Sequence, residues 1–206
     1  TISDDDLVGA GDLSGGRCTL TGTAETGSTV NVTVGSTTEA ATLSGENWTY
    51  EVTAVDGATD SVSVSATDAA GNQSDPATTT VSVDLSVPAA PLFASGTGTI
   101  DSAGIVSVVI SGTAEANTTV TLSSTLFDAD IDVTVLGNGN WQTDPLDLSI
   151  KADGNYTITA VATDAAGNAS GEASATREVD AVVDPTVTIT IAGDAAGSFM
   201  TEGELV

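Results

Sequence analysis

The sequence has no histidine, one cysteine and only 3 lysine or arginine residues against 29 aspartate or glutamate residues, a formal net charge of -26. Without histidine it lacks the side chain that most often serves as a general base or metal ligand. Cys18 cannot form an intrachain disulfide, and no histidine can activate it, so we expect a small core residue. The negative charge opposes binding to nucleic acids or anionic membranes.

Long hydrophobic runs are also missing. No stretch approaches the roughly 20 apolar residues of a transmembrane helix, so we expect no membrane insertion. No signal peptide pattern is visible, and targeting would lie elsewhere in a longer chain. Aromatic residues make up 3% of the chain and hydrophobic residues 40%. The apolar residues are mostly valine and alanine among threonine and serine, a composition that suits half-buried β-strands.

The sequence does contain an internal repeat, which is the first feature to look for in a chain of this composition. Gly22 corresponds to Gly112 at an offset of 90 residues, and Trp48 corresponds to Trp141 at an offset of 93. The blocks that match in the same order are 20–34 with 110–124, the two tryptophan segments, 66–74 with 162–170, and 81–88 with 177–185. The slowly growing offset indicates small loop insertions in the second copy.

Each copy is predicted to fold as about seven short strands. Residues alternate between apolar and polar in TVNVTV (29–34), SVSVSA (61–66) and YTITAVA (156–162), which is typical of strands with one buried face. Turn residues separate these runs, and no helical period is present. The predicted fold class is all-β, with tandem immunoglobulin-like β-sandwiches in an end-to-end rod. Trp48 and Trp141 are interpreted as core residues, and stacking on a sugar is the alternative.

Prolines define the expected domain boundaries, because proline stiffens a linker and blocks strand continuation. We expect repeat 1 at 1–87, repeat 2 at 88–184, and the start of a third repeat or a linker at 185–206. In the second copy the segments LFASG, IVSVVISG, TTVTLSS, IDVTVLG, NWQTD, NYTITAVATD and EASATREVD are the predicted strands.

The segments SGTAEANTTV, ADGNYTITAVATDAAGNAS and VDLSVPAAP resemble the bacterial Ig-like repeats of giant RTX-type and biofilm-associated adhesins. The resemblance implies an extracellular, non-enzymatic extender at the bacterial cell surface. Such repeats hold a terminal ligand-binding domain away from the cell, and calcium stiffens their joints. The implied partners are neighbouring repeats of the same chain, and a fragment is expected to be monomeric. Repeat 1 departs from the pattern at VDGATDSVSV and at its TISDDDLVGAGD opening.

Strand topology indicates where calcium would bind. Alternate loops of an up-and-down sandwich lie at opposite ends, here called the incoming and outgoing ends of a repeat. Acidic and amide residues at the outgoing end of repeat 1 and the incoming end of repeat 2 should meet, and calcium takes six to eight oxygen ligands. The predicted ligands are Asp84, Glu115, Asp164, Asn168, Asp56 and Asp60 at this joint, Glu25, Asp68 and Asn72 at the incoming end of repeat 1, and Asp180 and Asp184 at the end of repeat 2.

Simpler interpretations stay open for these loops. DAAGN is also a normal turn, in which aspartate caps backbone N–H groups and Gly-Asn supplies positive φ.

The alternative function is an Ig-like module that recognises a glycan or protein on another cell or surface, although long binding loops are missing. Catalysis is not expected, because the sequence has no histidine and no nucleophile motif such as G-x-S-x-G.

Overall fold

The computed structural model describes residues 7–94, 99–101 and 103–180. The predicted third repeat at 185–206 and Asp184 lie outside these residues. Repeat 1 contains, in chain order, β1 (Leu7–Val8), a 3-10 helix (Ala10–Asp12), β2 (Arg17–Thr23), β3 (Thr29–Val34), β4 (Thr37–Ala40), β5 (Thr42–Ser44), β6 (Asn47–Thr53), β7 (Thr59–Thr67) and β8 (Ala77–Val83). Repeat 2 contains β9 (Leu92–Phe93), β10 (Ile100–Asp101), β11 (Ser111–Thr113), β12 (Thr119–Ser123), β13 (Ile131–Thr134), β14 (Asn140–Gln142), β15 (Gly154–Thr163) and β16 (Ala173–Asp180).

Two sheets form each repeat. The larger sheet has the strand order β1-β8-β7-β3-β4 in repeat 1 and β10-β16-β15-β12-β13 in repeat 2. The smaller sheet has the order β2-β6-β5 in repeat 1 and β14-β11-β9 in repeat 2. All pairings are antiparallel except β1 with β8 and β10 with β16. The prediction of an all-β fold with two Ig-like sandwiches is confirmed.

One predicted strand is wrong in its extent. IVSVVISG was expected as a single strand over 105–112, but β11 covers only Ser111–Thr113. The Asp101 carboxylate accepts the backbone N–H groups of Ala103 and Gly104 at 3.1 and 3.0 Å, which turns the chain sharply. After this turn Val108 forms only an isolated bridge with Leu146. The Ile105 N–H donates to the Asp101 carbonyl at 3.0 Å, so the first residue of the predicted strand belongs to this turn and not to a ladder.

Apolar positions on the facing sides of the two sheets form one core in each repeat. The glycine and tryptophan that match between the repeats prove to be cross-strand neighbours, Gly22 opposite Trp48 and Gly112 opposite Trp141. Each indole lies over its glycine, so that a Cβ on the glycine would come within 2.6 Å of Trp48 or 2.5 Å of Trp141. Trp48 is 8% exposed and Trp141 2%, which confirms both as core residues.

Candidate functional site

Three loops of repeat 2 meet at its incoming end, as strand topology predicts. The Ala114 N–H donates to the Gly139 carbonyl at 2.9 Å, which joins the loops that follow β11 and β13. Thr119, at the start of β12, pairs with Thr163 at the end of β15. The DAAGN loop at 164–168 therefore begins beside the other two loops.

The DAAGN loop of repeat 2 is closed by its own first and last residues. The Asp164 carboxylate accepts the backbone N–H of Asn168 and its side-chain Nδ2, both at 2.9 Å. The Asn168 carbonyl accepts the Asp164 N–H at 3.1 Å. This agrees with the simpler interpretation of DAAGN as an aspartate-capped turn.

Asn168 also reaches across to repeat 1. Its Oδ1 accepts the Ala10 N–H at 2.8 Å, and its Nδ2 donates to the Asp84 carbonyl at 2.8 Å. We call these contacts of Asn168 with Ala10, Asp84 and Asp164 the Asn168 clasp. Asn168 is only 3% exposed, and a buried amide with both ends paired fixes the orientation of its partners. Gly9 completes the contact, because a Cβ there would lie 1.9 Å from the Ala166 carbonyl oxygen.

Repeat 1 carries the same turn without a repeat packed against it in the described residues. The Asp68 carboxylate accepts Asn72 Nδ2 at 2.7 Å and the Asn72 N–H at 2.8 Å. These bonds, the side-chain one first, hold the pKa of Asp68 below its usual range. Asn72 is exposed, in contrast to Asn168. The turn therefore forms by itself, and contact with a second repeat is what buries its asparagine.

The carboxylates at the outgoing end of repeat 1 hold the chain that leaves it. The Asp56 carboxylate accepts the Leu85 N–H at 2.8 Å and the Ser86 hydroxyl at 3.4 Å. The Asp84 carboxylate accepts the Ser86 N–H at 3.0 Å. Asp60 lies within β7, where its carboxylate would be 3.1 Å from a Cβ at Gly35. Asp56 and Asp84 thus shape the linker next to the Asn168 clasp.

The other predicted ligands lie at the surface. Glu25, Glu115 and Asp180 are exposed. The backbone carbonyls of Glu25 and Glu115 accept the Ser28 and Thr118 hydroxyls, so both residues cap turns. No group of three or more His, Cys, Asp or Glu residues is gathered for a metal in the part of the chain that the structure describes. Calcium at this joint would have to rely on backbone, amide and water oxygens as well as carboxylates.

Sequence reasoning placed Asp84 and Asn168 at the same joint but missed Gly9 and Ala10. These two residues take part through backbone atoms, whose contacts leave no side-chain signal in a sequence.

Cys18 lies in β2, is 5% exposed and belongs to the core of repeat 1, as predicted. Burial raises the pKa of its thiol. We expect thiol reagents to modify Cys18 slowly in the folded chain and rapidly in urea.

Cys18→Ser should lower the free energy of unfolding by about 1–3 kcal/mol, because a buried hydroxyl needs a hydrogen-bond partner. Denaturant unfolding checks this against Cys18→Ala, which removes the sulfur without adding a hydroxyl. Equal costs for the two variants would contradict the explanation.

Residues 8–83 match the bacterial Ig domain model and residues 94–181 match the bacterial Ig-like domain model. The chain belongs to the bacterial Ig-like domain family, with one domain in each repeat. Domains of this kind are typically structural modules without catalytic activity. No curated protein sequence matches the chain. In the described residues no helix has the length and apolar character needed to cross a membrane.

Among solved structures, the chain resembles the fibronectin(III)-like modules of Clostridium thermocellum CbhA at 15% identity, with a TM-score of 0.62 and coverage of 89% of this chain and 94% of that chain. It also resembles a 1.5-MDa bacterial ice-binding adhesin at 21% identity and a TM-score of 0.39, covering 87% and 62%. A Ca2+-stabilized adhesin that helps an Antarctic bacterium reach out and bind ice matches at 25% identity and a TM-score of 0.43, covering 88% and 48%. The chain thus spans less than two thirds of both adhesin structures.

Proposed function

We propose that this chain is a structural extender in a bacterial cell-surface adhesin, where its repeats project a ligand-binding domain outside the cell. The Asn168 clasp is the observation that supports this most directly. A mobile linker would leave the two repeats free to reorient, whereas a buried amide bonded to both repeats opposes that motion. Asp56 and Asp84 shorten the free length of the linker by holding residues 84–86.

The charge of the chain is consistent with extension. With 29 acidic and 3 basic residues, like charges along the chain repel and disfavour folding back of one repeat on the other. Asp56, Asp84 and Asp164 belong to the adjoining ends of the two repeats, so carboxylates from both repeats contribute to this repulsion at the joint. A cation there would lower that repulsion.

We further propose calcium as that cation. Asp164, the Asp84 carbonyl and the Asn168 amide are the groups that would hold it, and calcium would supply charge neutralisation and oxygen coordination. Asn168 Nδ2 already donates to both the Asp84 carbonyl and Asp164. Calcium would therefore compete with part of the Asn168 clasp, and the joint would have an amide-held form and an ion-held form. The predicted ligands Asp56, Asp60 and Glu115 would add negative electrostatic potential around the ion. Glu25, Asp68 and Asn72 would bind calcium at a joint between repeat 1 and a preceding repeat.

Small-angle scattering tests the extended shape. Strands of about ten residues give each repeat a length of roughly 35–40 Å, so the pair should scatter as an elongated particle about twice that long. The chain should stay monomeric at low salt. A compact particle in both chelator and calcium would contradict the extender function.

Calorimetry and scattering with and without calcium test the ion separately. At a hundred times its dissociation constant, an ion that binds only the folded joint adds about 2.7 kcal/mol to stability. We expect calcium to raise the melting temperature and narrow the distribution of interdomain angles, while β content stays unchanged. If calorimetry detects no binding heat and the scattering is the same in chelator and in calcium, the calcium part of the proposal is wrong. The extender function would then depend on the Asn168 clasp alone.

A further inference from the structure

The Asn168 clasp closes because the outgoing end of repeat 1 has no side chain at Gly9. This glycine follows β1 directly and is buried. A Cβ there would lie 1.9 Å from the Ala166 carbonyl oxygen and 2.9 Å from the carbonyl carbon. Both atoms are backbone of the DAAGN turn, which bonds between Asp164 and Asn168 hold closed. A side chain at this position would therefore push repeat 2 away from repeat 1.

Strand register identifies the residue of repeat 2 that corresponds to this glycine. Val83 and Val179 are counterparts in the matching blocks 81–88 and 177–185. Val83 pairs in parallel with Val8 at the end of β1. Val179 pairs in parallel with Ile100 of β10. The next residue along the chain is the glycine in repeat 1 and Asp101 in repeat 2.

The backbone turns in the same way at both positions. The Gly9 carbonyl accepts the Asp12 N–H at 3.2 Å, and the Asp101 carbonyl accepts the Gly104 N–H at 3.1 Å. The Asp12 carboxylate accepts the Gly9 N–H at 2.9 Å in repeat 1. In repeat 2 the Asp101 carboxylate accepts the N–H groups of Ala103 and Gly104. An aspartate thus closes each turn, from the fourth residue of the turn in repeat 1 and from the first in repeat 2.

The outgoing end of repeat 2 keeps the other groups that the Asn168 clasp uses. Asp180 is the counterpart of Asp84 in the matching blocks, so a backbone carbonyl is available at the same place, and Asp180 is exposed. From Ala10 the clasp takes only a backbone N–H, which every residue except proline supplies, and the sequence has Ser102 there. Of these requirements, the glycine is the one that repeat 2 replaces.

We propose that the position of Gly9 and Asp101 selects which repeats the clasp can join. An outgoing end with glycine at this position accepts the DAAGN turn of the next repeat, and an end with Asp101 does not. The exposed turn of repeat 1, which Asn72 closes, then fits a preceding repeat with glycine at this position. An array of such repeats would combine stiff joints with joints that bend, in an order set by single residues. The inference rests on the proposed function, because it takes the Asn168 clasp as the contact that holds a joint.

The test duplicates repeat 2 within the full chain, so that Asp180 of the first copy continues directly into a second copy of residues 85–206. The junction then reads Val-Asp-Leu-Ser, as residues 83–86 do at the natural joint. The molecule contains the natural joint, with Gly9, and a new joint, in which Asp101 faces a second DAAGN turn. Pairs of spin labels across each joint, in separate samples, measure the two distance distributions. We expect a narrow distribution at the natural joint and a broad one at the new joint.

Asp101→Gly in the first copy of repeat 2 should narrow the distribution at the new joint. The ratio of closed to open forms should rise about thirtyfold, which is the change that two hydrogen bonds make. The matched control is Asp101→Ala, which removes the same carboxylate and its bonds to Ala103 and Gly104 but keeps the Cβ. It should leave the new joint broad. Equal distributions in the two variants, narrow or broad, would overturn the proposal.

The reciprocal substitution in the natural chain tests the same position if the Asp101 variants do not fold. Gly9→Asp should broaden the natural joint as much as Asn168→Ala does, with β content unchanged. The double variant should be no broader than either single variant, because both substitutions remove one contact. A Gly9→Asp chain with a narrow joint would contradict the proposal. A broad natural joint in the unsubstituted chain would count against the proposed function, whereas a narrow natural joint without any response to Asp101→Gly would count against this inference alone.

Discussion

Gly112→Ala is expected to destabilise repeat 2 by about 3 kcal/mol, because overfilling a well-packed site forces backbone shifts. The added Cβ would lie 2.0 Å from the Leu92 carbonyl oxygen and 2.5 Å from the Trp141 ring. The carbonyl belongs to β9, and β9 can move only by giving up its pairing with β11 and the contact of Phe93 with Trp141. Denaturant unfolding followed by far-ultraviolet circular dichroism measures the loss.

Gly137→Ala is the matched control within the same repeat. Nothing lies within 4 Å of its added Cβ, so its free energy of unfolding should change by less than about 0.5 kcal/mol. Gly22→Ala should fall between the two, since the three atoms nearest to its Cβ belong to the Trp48 side chain, the first at 2.6 Å, and none is backbone. A Gly112→Ala variant as stable as Gly137→Ala would contradict the role given to β9.

Asn168→Ala is expected to loosen the joint while each repeat stays folded. The substitution removes the two interdomain bonds of the Asn168 clasp, to Ala10 and Asp84. At about 1 kcal/mol for each hydrogen bond, the closed joint loses about 2 kcal/mol, roughly a thirtyfold change in its equilibrium with open forms. Small-angle scattering and distances between spin labels on the two repeats should show a broader distribution, with β content unchanged.

Asn72→Ala is the control for this prediction, because Asn72 occupies the same position of the same turn. It should leave the distribution of interdomain distances unchanged, since the side-chain amide of Asn72 donates to Asp68 within its own loop. Gly9→Ala tests the joint from the other side, where its Cβ would come within 1.9 Å of the Ala166 carbonyl. If Asn168→Ala and Gly9→Ala both left the distribution narrow, the linker alone would be holding the repeats.

Much of this molecule could be predicted from its sequence. Strict alternation in 29–34 and 156–162 led to β3 and β15, because a strand with one buried face needs apolar side chains at every second position. The internal repeat predicted two sandwiches. The strand topology of a sandwich predicted that Asp84 and the DAAGN loop of repeat 2 lie at one joint. The hydrogen bond from Asn168 to the Asp84 carbonyl confirms that they meet there. The calcium ligands assigned there stay a prediction.

The tertiary structure decided what these residues do. Asn72 and Asn168 close the same DAAGN turn with the same aspartate contacts, and nothing local to either loop separates them. Asn168 is buried only because backbone groups 158 and 84 residues away in the sequence come against it. Similarly, Gly22 and Gly112 look alike in the sequence, but only Gly112 has a described strand carbonyl against it. Contacts of this range depend on which surfaces pack together, and the short-range pattern of a β-strand carries no information about them.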